Sequence, residues 1–128
     1  MEPNDALALI VSPNPTLKTY LELVFEDFGL TPYTAPTLSE GLKYLKDHTP
    51  RVIALDELQE NGLDSAGFVW RIKRIKRLKH APAIQIVHNP NERDRLTMEI
   101  SGADRIVELP IKDRSFRGML EELLSISR

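Results

Sequence analysis

The chain has 128 residues, enough for one domain with a buried core and too few for two of ordinary size. Its 41% hydrophobic and 28% charged residues, with a formal net charge of −2, exclude a disordered tail and nucleic-acid binding through overall charge. The absence of cysteine excludes disulfides, thiolate catalysis and cysteine-ligated metals.

The first apolar run, residues 6–11, follows Glu2 and Asp5 rather than the basic start of a signal peptide. Its continuity suits a strand buried on both faces. It stops at Ser12-Pro13-Asn14-Pro15, where Asn14 before Pro15 predicts a helix N-cap. Leu17, Tyr20, Leu21, Val24, Phe25 and Phe28 then mark one face of a helix that ends at Gly29. A short strand is expected over 31–35. Thr37 and Glu40 have capping-box spacing and open a second helix through Leu42 and Leu45 towards His48. The apolar run 52–55 predicts a third strand ending at Asp56. Residues 57–64, polar and containing Asn61-Gly62, read as a loop. Phe68, Ile72, Ile75 and Leu78 predict the buried stripe of a third helix. Residues 83–87 form a fourth strand, 91–101 a fourth helix stopped by Gly102, and 105–108 a fifth strand. Asp113 is expected to cap a last helix through Phe116, Met119, Leu120, Leu123 and Leu124.

Strict alternation of strand and helix demands right-handed crossovers, hence a parallel sheet with helices on both faces. Reactive groups in such sheets gather at the carboxyl ends of the strands. Those ends carry Ser12, Pro13 and Asn14; Asp56 and Glu57; Val87, His88 and Asn89; and Glu108, Leu109 and Pro110. No stretch approaches the roughly 20 apolar residues of a membrane span, and a soluble cytoplasmic protein is the expectation.

With these landmarks in order, the chain resembles the receiver domain of two-component response regulators over nearly its whole length. The carriers are Val11-Ser-Pro-Asn-Pro15, the strand ending at Asp56, Gly67 at the start of the next helix, Gly102-Ala-Asp104, and Pro110. The resemblance implies one domain over 1–128, an α/β, flavodoxin-like (βα)5 fold. Its doubly wound, five-stranded parallel sheet would run in the order 2-1-3-4-5. It also implies a cis Leu109–Pro110 bond. Asp56 matches the aspartate that accepts phosphate in receivers, but the supporting chemistry is missing. Phosphoryl transfer needs metal and fixed donors to neutralise the moving charge. Ser12 and Pro13, with only neutral Asn14 beside them, stand where receivers hold two acidic metal ligands. Val87 (or His88, with the register shifted by one) replaces their serine or threonine. Leu109 replaces their lysine and Ile106 their aromatic switch residue.

This is the pattern of a pseudo-receiver. No magnesium or other cofactor is expected, no enzyme activity, and an inactive Asp56 that caps the following turn or faces solvent. A plain loop is expected at Ser12 and Pro13, and a packed Leu109. Ser12, Asp56 and His88 contain the residue types of a hydrolase triad, but strand order 2-1-3-4-5 puts the aspartate in the middle. Histidine must lie there for hydrolysis, and two strand spacings separate Ser12 from His88 by roughly 10 Å at the backbone. An Asp56–His88 hydrogen bond and a solvated histidine are the remaining readings.

Between Trp70 and Lys79, six basic residues (Arg71, Lys73, Arg74, Lys76, Arg77, Lys79) occupy nine positions with no acid among them. With Ile72, Ile75 and Leu78 buried, these cations are expected to share the solvent face of the third helix. That face is either simply solvated or binds an anionic partner. The function expected is protein interaction or regulation in signal transduction. The partner expected is a protein, with an acidic surface as one candidate and nucleic acid disfavoured. The resemblance places homodimerisation or docking on the face of the fourth helix, fifth strand and fifth helix. The alternatives are an atypical phosphoacceptor using Asp56, and an anion- or nucleic-acid-binding domain using the basic helix.

Overall fold

The computed structural model describes residues 6–88 and 91–126. Its elements in chain order are β1 (Leu7–Val11), α1 (Pro15–Asp27), β2 (Thr31–Ala35), α2 (Leu38–Asp47), β3 (Val52–Leu55), β4 (Gln59–Glu60) and β5 (Leu63–Asp64). There follow α3 (Ser65–Ile72), β6 (Ala83–Val87), α4 (Glu92–Ser101), β7 (Arg105–Glu108) and α5 (Asp113–Ile126).

The five long strands form one sheet in the order β2-β1-β3-β6-β7, every pair parallel. Counting only these five, this is the expected order 2-1-3-4-5. Side chains alternate across the pleat, so Ala8 and Ile10 join Val52 and Ala54 in one core with α1 and α5. Leu9 and Val11 join Ile53 and Leu55 in a second core with α2 and α3. Both cores are built from side chains that are essentially inaccessible, which is why the central strands read as unbroken apolar runs rather than alternating ones.

Local chemistry fixes the helix ends. The Asn14 side chain accepts from the amides of Thr16 and Leu17 at 2.9 and 3.0 Å, and Pro15 supplies a first turn that lacks only a donor no helix bond needs. Thr37 caps α2 by accepting from the Glu40 amide at 3.1 Å. Gly41 lets α2 lie close to the sheet: a Cβ there would stand 3.0 Å from Val11 Cγ2.

Three expectations need correction. Residues 57–64 are not an irregular loop, because Gln59–Glu60 and Leu63–Asp64 pair as a small antiparallel hairpin. Its turn, Asn61-Gly62, takes φ of 47° and 83°, the left-handed conformations that Asn-Gly adopts readily and that match strand twist. Asp113 is the first residue of α5 rather than its cap, and its carboxylate instead receives the Tyr20 hydroxyl and the Arg117 guanidinium. Finally, α3 stops at Ile72, so most of the basic segment is not helical. Arg74, Ile75, Leu78 and Ala81 each donate to the carbonyl three residues back, giving a succession of tight turns. Ile72, Ile75 and Leu78 recur every three residues, a spacing nearer to a three-residue turn than to the α-helical 3.6. Ile72 and Leu78 are buried, while Ile75 is 40% exposed.

Candidate functional site

The parallel ladder continues one residue past β1 and β3. The Ser12 amide donates to Ala35 O at 3.0 Å and the Asp56 amide to Val11 O at 2.8 Å. Ser12 and Asp56 are therefore fixed side by side at the carboxyl edge of the sheet, only 2% and 3% exposed. The Ser12 hydroxyl donates to Asp56 Oδ2 at 2.8 Å and itself accepts from the Asn14 amide at 3.1 Å. The other carboxylate oxygen, Oδ1, accepts from the Glu57 amide at 2.8 Å and meets His88 Nε2 at 2.6 Å. That contact holds the imidazole ring against the carboxylate. His88 is held a second time, by its own amide, which donates to Glu57 Oε1 at 2.9 Å.

Two expectations are corrected by this geometry. Ser12 belongs to a buried hydrogen-bond network rather than to a plain loop, while Pro13 is exposed. His88 is not a free, solvated side chain, although 44% of it remains accessible. The physical reason is desolvation: a carboxylate as buried as that of Asp56 must be supplied with donors, and the adjacent strand ends furnish them. The histidine falls on the far side of Asp56 from Ser12, so the serine hydroxyl donates to carboxylate and not to imidazole. That order cannot activate a serine nucleophile.

Beneath the site, buried Gln85 on β6 directs its amide nitrogen to the carbonyls of Leu55, Asp56 and Ile86 at 3.1, 3.3 and 3.1 Å. Ser65, at the start of α3, donates to Asp56 O at 2.7 Å and accepts from the Leu58 amide at 2.7 Å. Neither Gln85 nor Ser65 stands out in the sequence. An isolated glutamine in an apolar strand is the one signal for Gln85. Val87 is fully buried, and Leu109 packs against the α1/α5 core while its amide donates to Val87 O at 2.9 Å. Ile106 is half-buried on β7, and the Leu109–Pro110 peptide is cis. Asn89, expected at the same edge, lies outside the described residues.

The donor set does not fit a magnesium ion. Where two carboxylates would be needed beside Asp56 there are a serine, a proline, and an asparagine whose oxygen is committed to capping α1. Among the described residues, no three histidine, aspartate or glutamate side chains converge as a metal site.

The six cations are not equivalent. Lys73 is held inside a turn, donating to Ala81 O at 2.9 Å and Asp104 Oδ2 at 2.7 Å. Arg77 reaches the end of α2, donating to His48 O at 2.9 Å and Thr49 Oγ1 at 2.6 Å. Arg74 lies 3.5 Å from the centroid of the Trp70 ring. Arg71, Lys76 and Lys79 are exposed on the surface. The expected single stripe of six free charges on one helix face is therefore not present. Among the described residues, no helix is long and apolar enough to cross a membrane.

No family model matches the chain. Over 116 residues it is 28% identical to the transcriptional regulatory protein AfsQ1 of Streptomyces coelicolor, covering 91% of this chain and 50% of that protein. The chain thus spans about half the length of the curated relative it matches. Among solved structures, the signal receiver domain of a histidine kinase from Syntrophus aciditrophicus superposes with a TM-score of 0.84 at 25% identity. It covers 94% of this chain and 90% of that one. A CheY-like receiver domain protein from Methanospirillum hungatei superposes with a TM-score of 0.85 at 15% identity, covering 96% of each chain. In strand order, parallel pairing and the helices on both faces, the chain has the CheY-like receiver fold.

Proposed function

We propose that this chain is a single receiver-like domain that does not accept phosphate on Asp56 by the magnesium-dependent route. It works instead as a non-catalytic protein-interaction or regulatory module in cytoplasmic signal transduction. One observation carries the reading: both oxygens of the Asp56 carboxylate are already satisfied by Ser12, the Glu57 amide and His88. A phosphodonor would have to displace these donors. It would then find neither the acidic neighbours that hold a metal nor, at Leu109, a cation for the phosphoryl oxygens. Removing one preorganised donor from such a site costs about 10²–10³ in rate, and here several are absent together. The proposed interaction face is that of α4, β7 and α5. Leu96 and Ile100 lie one turn apart on the outside of α4, 56% and 71% exposed, and could pair with a second copy or another protein.

The test is incubation with magnesium and either a small phosphodonor or beryllofluoride, read by mass spectrometry and amide NMR. No adduct and no shift at the Asp56 edge is the expected result. Stoichiometric modification of Asp56, with shifts spreading into α4 and α5, would overturn the proposal and favour the atypical phosphoacceptor.

A further inference from the structure

The surface of residues 70–80 is the strongest feature that the Asp56 edge does not absorb. The chain's −2 combines +6 from the six cations of this segment with −8 from the remainder, and no acid occurs from residue 65 to residue 91. Lys73 and Arg77 are engaged within the fold, so the charge available to a partner is that of Arg71, Arg74, Lys76 and Lys79. Two large apolar side chains stand exposed in the same segment, Trp70 at 48% and Ile75 at 40%. The Arg74 guanidinium is laid over the indole and also donates to Trp70 O at 3.2 Å. A guanidinium restrained in this way loses less freedom on meeting a carboxylate than a free lysine does. Tryptophan and arginine together are the side chains most often found at the energetic centre of protein interfaces.

From this combination we infer that the surface around Trp70, Arg71, Arg74, Ile75, Lys76 and Lys79 docks an acidic segment of another protein. That segment would carry carboxylates around an apolar side chain. The inference rests on the reading of the domain as an interaction module and names the chemistry of one partner. The charge of the segment attracts a short acidic segment and an extended polyanion alike, so the exposed apolar side chains decide between them. Phosphates have no use for an exposed isoleucine, whereas a peptide's apolar side chain can pack on Ile75.

The experiment titrates the isotope-labelled full chain with four probes and follows the amides by NMR. They are a short synthetic peptide of glutamate and aspartate around a central leucine, its glutamine and asparagine counterpart, oligothymidylate, and phosphatidylserine vesicles. The acidic peptide should shift the amides of 70–80, and its amide counterpart should not. The combined charge reversal Arg71→Glu, Lys76→Glu and Lys79→Glu should weaken that binding by at least about tenfold. Trp70→Ala should weaken it without any change of charge, which keeps the inference testable if the reversed protein does not fold. Absent shifts, shifts confined elsewhere, indifference to both variants, or tighter binding of oligothymidylate or vesicles would overturn it. Phosphorylation of Asp56 would defeat the proposed function while leaving these titrations unchanged, so the two failures are distinguishable.

Discussion

The Asp56 carboxylate is met by the Ser12 hydroxyl at the end of β1, by the backbone amide of Glu57, and by the His88 imidazole at the end of β6. These donors are not interchangeable. Ser12 is buried with the carboxylate, so no water can replace its hydroxyl, and Ser12→Ala should cost about 1–3 kcal/mol. The His88 imidazole is 44% exposed, so solvent can reach Asp56 Oδ1 once the ring is removed. His88→Ala should therefore destabilise less than Ser12→Ala, a ranking that urea unfolding at neutral pH would check. The opposite ranking would mean that the histidine, and not the serine, holds the carboxylate in place.

At the scale of elements, the Lys73 ammonium closes the turns after α3, joining the carbonyls of Lys79 and Ala81 to the Asp104 carboxylate. Asp104 Oδ2 also accepts from the Ala83 amide at 2.7 Å, so the same contact fixes the start of β6. Lys73→Gln should destabilise by about 1–3 kcal/mol, whereas Lys76→Gln on the open surface should stay within about 0.5 kcal/mol. Thermal unfolding of the two variants side by side measures the difference. Their contrast also shows what the sequence could reveal. Apolar runs, caps and glycine stops located the five long strands and five helices, because each is a local signal. Lys73 and Lys76 look alike in sequence; only the approach of Asp104, in the turn before β7 and distant in sequence, separates them. Likewise, Ser12 carries no local mark of burial, and its role follows from the register that sets it beside Asp56. The hairpin was legible in Asn61-Gly62 but was outweighed by the polarity of the residues around it. The three-residue spacing of Ile72, Ile75 and Leu78 was visible as well, and fits tight turns better than a helix stripe.

For the molecule as a whole, three groups outside the Asp56 edge contribute to the pH dependence of stability. Hydrogen bonds from the Tyr20 hydroxyl and then the Arg117 guanidinium hold the Asp113 carboxyl below its usual 3.8. Bonds from the Ser39 hydroxyl and amide and the Leu38 amide hold Glu60 below 4.5. Both carboxylates bind protons more weakly in the folded chain. Their stabilisation is thus fully present above those ordinary values and is lost as pH falls through the folded ones. Tyr20 is displaced the other way: burial, then its bond to Asp113 and that residue's charge, raise it well above 10.0. Its stabilisation is present below pH 10 and disappears as pH climbs through the raised value. An acid and an alkaline shoulder in the profile of melting temperature against pH are expected. Tyr20→Phe should flatten the alkaline shoulder of that profile and weaken the acid one, and unchanged shoulders would remove Tyr20 and Asp113 from the account.

The hairpin that interrupts the passage from β3 to α3 has one more consequence. Glu60 sits on it and accepts from the amides of Leu38 and Ser39 at 2.9 Å each, so the first turn of α2 is capped from another part of the chain. At the hairpin's other end, Asp64 accepts from the Gly67 amide at 2.8 Å and caps α3. Two helix beginnings that are 27 residues apart in sequence thereby share one small support, from Leu38 to Ser65. Neither can fray without disturbing the ribbon that holds the other, which joins them in a single cooperative unit of local unfolding.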